Sequence, residues 1–458
     1  MDRCHSSVGQ MRSVGQMRSV WQMRSVGQMR SAGQMSCPDD ASNLRSGLAG
    51  FLRSRWLPIL ALLFAAVGCA EELRGRPPLE DGLYYPIATA VDEASGVLYV
   101  VNSNFDLAYR EASLVAVDLD THEFVPGNAS FGSFPADFLL VPSADGKSST
   151  GYLAVRGDNS LTWFTSKAAG DGVSLVCGDE GEGTDCRGDH VITTSMLPIE
   201  DAETEGAEEE VTVGDDPFAL ALLPAAGDVP ARLFLAASKS GTLSLFDIEE
   251  DGKPVLVAQS AMAAGAHTAA LDPATGLLYV TNRLYAYLYR FKVVEGETGP
   301  ELKALDPVPL PAPYAAAGQY GRGMTFSGDG RYLLLAYRAP AGIAVVDALP
   351  ESSEWAPSLV DFIPVGPKPG QVRLFPTGPG GKELAYVVCY GDDSVWVVDP
   401  EALLVVDRIP VGAGPYDMAV RLGDEPRGYV VNFLDNTVSV VDLDPVSPWY
   451  HRTVAEIH

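Results

Sequence analysis

Four side chains suited to ligand binding recur at a regular interval along the chain. They are Phe218, His267, Arg322 and Tyr416, and the first two steps between them are 49 and 55 residues. In a chain with a formal net charge of −28, an arginine at such a position is suited to clamp a carboxylate. The interval predicts that these residues occupy equivalent positions in successive copies of a structural repeat.

The sequence contains no familiar catalytic or metal-binding motif. The histidines beyond residue 100 lack metal-ligand spacing, and no GxSxG, HExxH or phosphate-binding glycine loop is present. Residues 178–185, GDEGEGTD, offer alternating carboxylates, which suit either a calcium ion or a solvated acidic turn. We therefore predict no catalytic residue, no metal and no cofactor, and we leave enzymatic activity open.

The cysteines predict an oxidising compartment and one disulfide. Cys177 and Cys186 flank the GDEGEGTD loop, which is short enough for the pair to close, and we predict that they are bonded. Cys389 lies in the apolar segment AYVVCY and is predicted to be a buried, inert thiol.

Residues 37–68 have the layout of a secretory signal. Arg53 and Arg55 precede an apolar run over 56–67, which is too short to span a bilayer. The run ends in AVGC at 66–69, which resembles a bacterial lipobox. That resemblance implies that Cys69 is the lipidated first residue of an outer-membrane lipoprotein, facing the periplasm or the cell surface. The alternative is an ordinary cleaved signal with an incidental cysteine.

Upstream of the signal, residues 1–36 are dominated by five near-identical hexapeptides such as SVGQMR. Each copy carries a single small aliphatic residue, too little to build a core. We interpret the segment as disordered low complexity or as a wrongly assigned start. Residues 69–83 are predicted to be a linker.

From residue 84 onwards the chain repeats a unit of four short strands. In the last copy these are PYDMAV, GYVVN, TVSVVDL and RTVAEI, apolar runs and alternating segments separated by turn residues. A sheet of this kind has two apolar faces and must pack against neighbours on both. Closing the row of sheets around an axis buries both apolar faces of every sheet and makes a propeller.

Seven copies can be counted by a register mark, which we define as the residue, usually proline, five places before a large apolar position. The marks are Pro86, Pro135, Pro217, Ala266, Gly321, Pro369 and Pro415. We predict an all-β, seven-bladed β-propeller of four-stranded antiparallel blades over residues 84–458. Each mark is followed by one residue of a ring at one channel opening: Ile87, Ala136, Phe218, His267, Arg322, Gly370 and Tyr416. Either this ring binds a ligand, or its side chains fill a narrow tunnel or pair with acidic groups.

One step of the series, 82 residues, is longer than the others. We assign the excess to an acidic insertion at about 167–213, partly stapled by the disulfide and partly mobile. The order of strands within each copy predicts that the ring closes without exchanging a strand between its ends. The first inner strand would then begin near Tyr85, and the last outer strand would be 452–457.

The repeats resemble the YVTN family of β-propeller repeats. Residues 279–282 read YVTN, while 98–102 and 429–432 read LYVVN and YVVN. We predict that the asparagines ending these segments, Asn102, Asn282 and Asn432, are structural and tolerate the turn that follows.

Taken together, these features predict a lipid-anchored, monomeric propeller of the bacterial cell envelope. We expect it to bind a protein, peptide or glycan, or to serve as a scaffold, and to contact the membrane through its lipid alone. The acidic surface disfavours nucleic acid. The alternative function is that of a lactonase-type hydrolase or an oxidoreductase-related propeller.

Overall fold

The computed structural model describes most of the chain beyond the predicted leader. The hexapeptides, the signal and Cys69 lie outside the described residues, as do the acidic run 199–207 and positions 178–183 of the GDEGEGTD loop. The described residues are 75–143, 145–170, 172–177, 184–198, 208–310, 322–348 and 358–458.

Within these residues the strands form seven blades of four antiparallel strands, which confirms the predicted β-propeller. Each blade is a meander, so its strands lie side by side in chain order. No helix in the described part of the chain is long and apolar enough to cross a membrane. Helical structure there is limited to two 3₁₀ turns, Gly188–His190 and Pro379–Gly381.

The first four blades occupy residues 86–309. Blade 1 contains β1 (Pro86–Asp92), β2 (Val97–Asn102), β3 (Ala112–Asp118) and β4 (Phe124–Phe131). Blade 2 contains β5 (Pro135–Pro142), β6 (Ser148–Val155), β7 (Ser160–Ala169) and β8 (Gly172–Val176), and β9 (Val191–Ile192) also pairs with β7. A separate hairpin consists of β10 (Thr194–Pro198) and β11 (Glu208–Thr212). Blade 3 contains β12 (Pro217–Leu223), β13 (Arg232–Ala237), β14 (Thr242–Ile248) and β15 (Pro254–Ala261). Blade 4 contains β16 (Ala266–Leu271), β17 (Leu278–Asn282), β18 (Tyr287–Glu295) and β19 (Pro300–Pro309).

The last three blades complete the ring. Blade 5 contains β20 (Met324–Phe326), β21 (Tyr332–Arg338), β22 (Ala341–Asp347) and β23 (Ser358–Pro364). Blade 6 contains β24 (Pro369–Gly378), β25 (Lys382–Cys389), β26 (Ser394–Asp399) and β27 (Leu404–Pro410). Blade 7 contains β28 (Pro415–Arg421), β29 (Arg427–Asn432), β30 (Thr437–Asp442) and β31 (Arg452–Ile457).

The core lies between blades rather than within them. The second strands are buried on both faces, because each face packs against a neighbouring sheet. Between blades 7 and 1, for example, Tyr429 and Val431 form one cluster with Leu98 and Val100. Burial of both faces explains why these strands are continuous apolar runs in the sequence.

Six register marks are the first residues of inner strands, and Gly321 lies outside the described residues. The residue before each of the six has a left-handed backbone, with φ between 49° and 107°. This conformation turns the chain from the outer strand of one blade into the inner strand of the next. The six residues are Tyr85, Phe134, Asp216, Gly265, Lys368 and Gly414.

The ring closes without strand exchange, as the strand order predicted. β31 is the outer strand of blade 7 and pairs with β30. Among residues 75–84, the described β-bridge joins Arg76 to Tyr109 of blade 1 and not to blade 7. Blades 1 and 7 are linked by side chains, for instance where the Tyr85 amide donates to Asn436 Oδ1 at 2.7 Å.

The described residues of the segment 167–213 are more structured than its composition suggests. It includes β8, the regular fourth strand of blade 2, whose Val173 and Leu175 are buried. The excess therefore begins after this strand rather than at Lys167. Cys177 and Cys186 form the predicted disulfide at the end of β8.

The three asparagines are structural, but for a different reason from the predicted turn conformation. None of them has a positive φ. Instead, Asn282 Nδ2 donates to the carbonyl oxygens of Ala263 and Ala264, and Asn102 Nδ2 donates to that of Gly82. These bonds tie the end of a second strand to the segment that enters the same blade. Asn432 differs, since its Nδ2 donates to Thr437 Oγ1 and Ser439 Oγ of the third strand of blade 7.

Candidate functional site

A central cavity of about 480 Å³ opens at the end of the propeller where the inner strands begin. Every blade contributes to its wall, so the cavity lies on the channel axis. One lining residue from each blade in turn is Phe105, Ala136, Phe218, His267, Arg322, Gly370 and Tyr416. A cavity of this size is typical of small-molecule sites.

The predicted ring is largely brought together here. Phe218, His267, Arg322 and Tyr416, the four candidate binding residues, all line the cavity. Ile87 does not, because it is buried in the apolar cluster between blades 1 and 2. The cavity is open, so the ring does not simply plug a tunnel.

A second ring of residues, one from the end of the second strand of each blade, was not predicted from the sequence. In blade 4 the Arg283 amide donates to the carbonyl of Gly265, the residue before the register mark, and equivalent bonds recur in five other blades. The bond holds this position at the cavity wall. Five of its residues line the cavity: Arg156, Arg283, Arg338, Tyr390 and Phe433. These positions could have been located from the sequence, since each of the five residues directly follows or ends a YVVN-like segment.

The cavity is strongly cationic although the chain is acidic. Six basic side chains line it: Arg156, Arg283, Arg322, Arg338, Lys368 and Arg373. The only acidic lining residue among those described is Asp137.

Three of the six cations have carboxylate partners. Arg156 and Arg283 lie 2.5 and 3.7 Å from the Asp216 carboxylate, and Arg373 lies 3.2 Å from that of Asp417. For the other three, no carboxylate oxygen of the described residues lies within 4.0 Å. We call these three, Arg322, Arg338 and Lys368, the unpaired cations.

Arg322 shows most clearly that the cavity is positive. Its amide donates to the Ala336 carbonyl at 2.9 Å, which fixes the backbone, while its buried Nε has no hydrogen-bond partner among the described residues. Burial and the charges of Arg338 and Arg283 lower the pKa of Arg322 to about 10. A bound anion would relieve both the unmade hydrogen bond and the repulsion.

His267 is held as a neutral imidazole. Its Nδ1 lies 2.8 Å from the carbonyl oxygen of Arg322, so Nδ1 donates a proton there and Nε2 remains an acceptor. Burial, followed by the charge of Arg322, lowers the pKa of His267 to about 3. Its ring lies 4.8 Å from that of Phe218, which Arg156 also covers at 5.1 Å.

The opposite wall of the cavity is aromatic. Phe433 is at its centre, with ring centroids 5.9 Å from Tyr416, 6.5 Å from Tyr390 and 5.3 Å from Phe105. Lys368 lies over Tyr390, with Nζ 5.6 Å from the ring. The aromatic wall therefore runs directly into the unpaired cations.

Asp137 lines the cavity and could change protonation near neutral pH. Its Oδ2 accepts the Leu220 amide of the next blade at 2.9 Å. Burial is the main reason that the pKa of Asp137 is raised to about 6. Within the described residues, no group of three or more His, Cys, Asp or Glu side chains is placed to hold a metal ion.

No protein-family model matches the chain, and no curated protein matches it. Solved propellers do resemble it. The periplasmic gluconolactonase of Pseudomonas aeruginosa aligns with a TM-score of 0.52 and 16% identity, over 81% of this chain and 95% of that one. A functionally unknown protein from Desulfotomaculum acetoxidans aligns with a TM-score of 0.51 and 12% identity, over 79% and 95%. At these identities the likeness establishes the fold alone.

Proposed function

We propose that this protein binds a small organic anion in its central cavity, at the bacterial cell envelope to which lipid on Cys69 anchors it. The single observation that carries the proposal is the set of unpaired cations facing an open cavity in an acidic chain. Among the described residues, acidic side chains neutralise the other three cations but not these. A bound anion would complete their charge balance.

The chemistry of the cavity selects the class of ligand. Guanidinium groups bind carboxylates and phosphates through paired hydrogen bonds, and the aromatic wall suits an apolar or ring-shaped body. The volume suits a free acid rather than a folded partner. The sequence predicted a protein, peptide or glycan ligand, and the proposal departs from that prediction in favour of a small molecule.

The test is titration calorimetry with benzoate and with benzamide, which share a shape and differ in charge. We expect benzoate to bind, benzamide to bind at least tenfold more weakly, and benzoate affinity to fall as salt is added. Arg322→Gln should weaken benzoate at least tenfold. Arg331→Gln, at an exposed position at the other end of blade 5, is the matched control and should change nothing. Equal binding of the two probes would refute the proposal.

Lactone hydrolysis is the second candidate, and the observation favouring it is Asp137. The fold likeness to a gluconolactonase suggests the substrate class. The Asp137 carboxylate would take a proton from water as the water oxygen bonds to the lactone carbonyl carbon. The ring C–O bond then breaks, and its oxygen takes up the proton.

Hydrolysis of glucono-1,5-lactone in a pH-stat tests this second candidate. The rate should rise as pH increases through about 6, where Asp137 loses its proton, and Asp137→Asn should abolish the rise. A rate no higher than that of buffer removes the candidate and leaves anion binding standing.

A further inference from the structure

Exposed apolar side chains border one side of the cavity mouth. Phe105 and Leu107 are each 58% exposed and Leu434 is 52% exposed. All three lie in loops that follow the second strands of blades 1 and 7. Phe105 contacts Phe433 of the cavity wall, with ring centroids 5.3 Å apart, and Leu434 follows Phe433 in the chain. We call these four residues the apolar slope. Single exposed apolar residues are common, but this group is continuous with a binding cavity.

The slope leads from solvent to the unpaired cations. From Phe105 at the rim, ring contacts pass to Phe433 at 5.3 Å and on to Tyr390 at 6.5 Å. Lys368 then lies over Tyr390. One side of the mouth is thus apolar from Phe105 at the rim to Tyr390, where the apolar surface meets the positive charge of Lys368.

The charges beside the slope restrict what can occupy it. Asp106 lies between Phe105 and Leu107, and Asp435 follows Leu434. These carboxylates disfavour docking of the whole rim on an anionic lipid surface. A single molecule with an apolar body along the slope and its anionic head inside the cavity avoids them.

We propose that the ligand is an amphiphilic anion of the fatty-acid type, with its acyl chain on the apolar slope and its carboxylate at the unpaired cations. This inference rests on the proposed anion site and adds the nature of the ligand's body. It distinguishes a lipid-like acid from a polar sugar acid, which would gain nothing from the slope.

The inference makes a quantitative prediction for n-alkanoates from acetate to decanoate, used below their micelle concentrations. Each methylene that becomes buried on the slope should tighten binding about fourfold. Affinity measured by calorimetry should therefore rise steeply with chain length and level off once the chain extends past Phe105.

Two variants separate the slope from the anion site. The double variant Leu107→Ser with Leu434→Ser should flatten the dependence on chain length while leaving acetate and benzoate affinity unchanged, because neither residue is among those that line the cavity. Arg338→Gln should weaken every alkanoate by the same factor and keep the dependence. Trp449→Ser, an equally exposed apolar position at the other end of blade 7, should alter neither. Thermal melts confirm that each variant is folded.

Affinity that does not depend on chain length in the unaltered protein would overturn the amphiphile inference, with anion binding intact if benzoate still binds. A dependence that survives the double slope variant would also overturn it. Failure to bind both benzoate and decanoate would instead refute the proposed function itself.

Discussion

Asp417 is predicted to hold the propeller ring closed, and replacing it should loosen the junction of three blades. It lies on β28 of blade 7 and is 4% exposed. Its Oδ2 accepts the Thr89 amide of blade 1 at 3.3 Å, and its Oδ1 accepts Arg373 Nη2 of blade 6 at 3.2 Å. Because the ring closes without strand exchange, such contacts add to the apolar packing between blades 7 and 1 in holding it closed. Asp417→Ala removes both at once.

The size of the effect follows from the surroundings. Breaking a buried ion pair costs about 3–5 kcal/mol when the remaining charge stays buried. The Arg373 side chain is 40% exposed to the cavity, so solvent compensates part of this cost. We therefore expect a loss of about 3 kcal/mol in the free energy of unfolding. For the 390 residues from Cys69 to His458, this corresponds to a fall in Tm of about 4 °C.

Differential scanning calorimetry of the mature chain measures this fall. Asp424→Ala, an exposed carboxylate on the same blade, is the control and should shift Tm by less than about 1 °C. Hydrogen exchange should in addition show faster exchange of the Thr89 amide in Asp417→Ala. If Asp417→Ala melted like the control, the closing role assigned to this carboxylate would be wrong.

Three further predictions concern the disulfide, a buried histidine and the anchor. Breaking the ten-residue loop with Cys177→Ser and Cys186→Ser should lower the free energy of unfolding by about 3 kcal/mol in urea titrations, and no change would contradict the stapling role. Burial lowers the pKa of His451 below 6.5, so as the pH falls the unfolded state takes up a proton before the folded state does. The free energy of unfolding should therefore be at its full value above pH 6.5 and decrease below it, with a smaller decrease in His451→Gln. Equal pH profiles for the two proteins would count against this. Cys69→Ser should abolish labelling by radioactive palmitate and move the protein from the detergent phase to the aqueous phase; unchanged partition would contradict lipidation.

The fold was predictable because propeller blades impose a local and repeated pattern. A strand buried on both faces must be a continuous apolar run, as in the segment ending at Asn282, and the chain must turn at the start of every inner strand, as at Pro86 and Pro415. Both requirements act within about 50 residues of sequence and are repeated seven times. The count therefore did not depend on any one copy.

The candidate site was predictable only in part. His267 and Arg322 follow register marks, so the repeat itself located them. Arg338 and Lys368 were missed, although they too occupy repeated positions, because nothing local distinguishes a cation in an ion pair from one without a partner. That difference depends on which carboxylates other blades bring near, as Asp216 is brought near Arg156.

The same limit applies to Asp137 and to the apolar slope. The raised pKa of Asp137 arises from burial by neighbouring blades, which no pattern along β5 reveals. Phe105 and Leu434 are far apart in sequence, and their shared side of the mouth depends on closure of blade 7 onto blade 1. Closure was predicted, but the side chains that it would bring together were not.

The most direct test of the central claim is a crystal structure of the mature protein soaked with 4-iodobenzoate, located by the anomalous signal of iodine. The account predicts a strong peak inside the central cavity, with the carboxylate within hydrogen-bond distance of Arg322 or Arg338 and the ring against Phe433 or Tyr416. An empty cavity, with iodine found only at other surfaces, would contradict it.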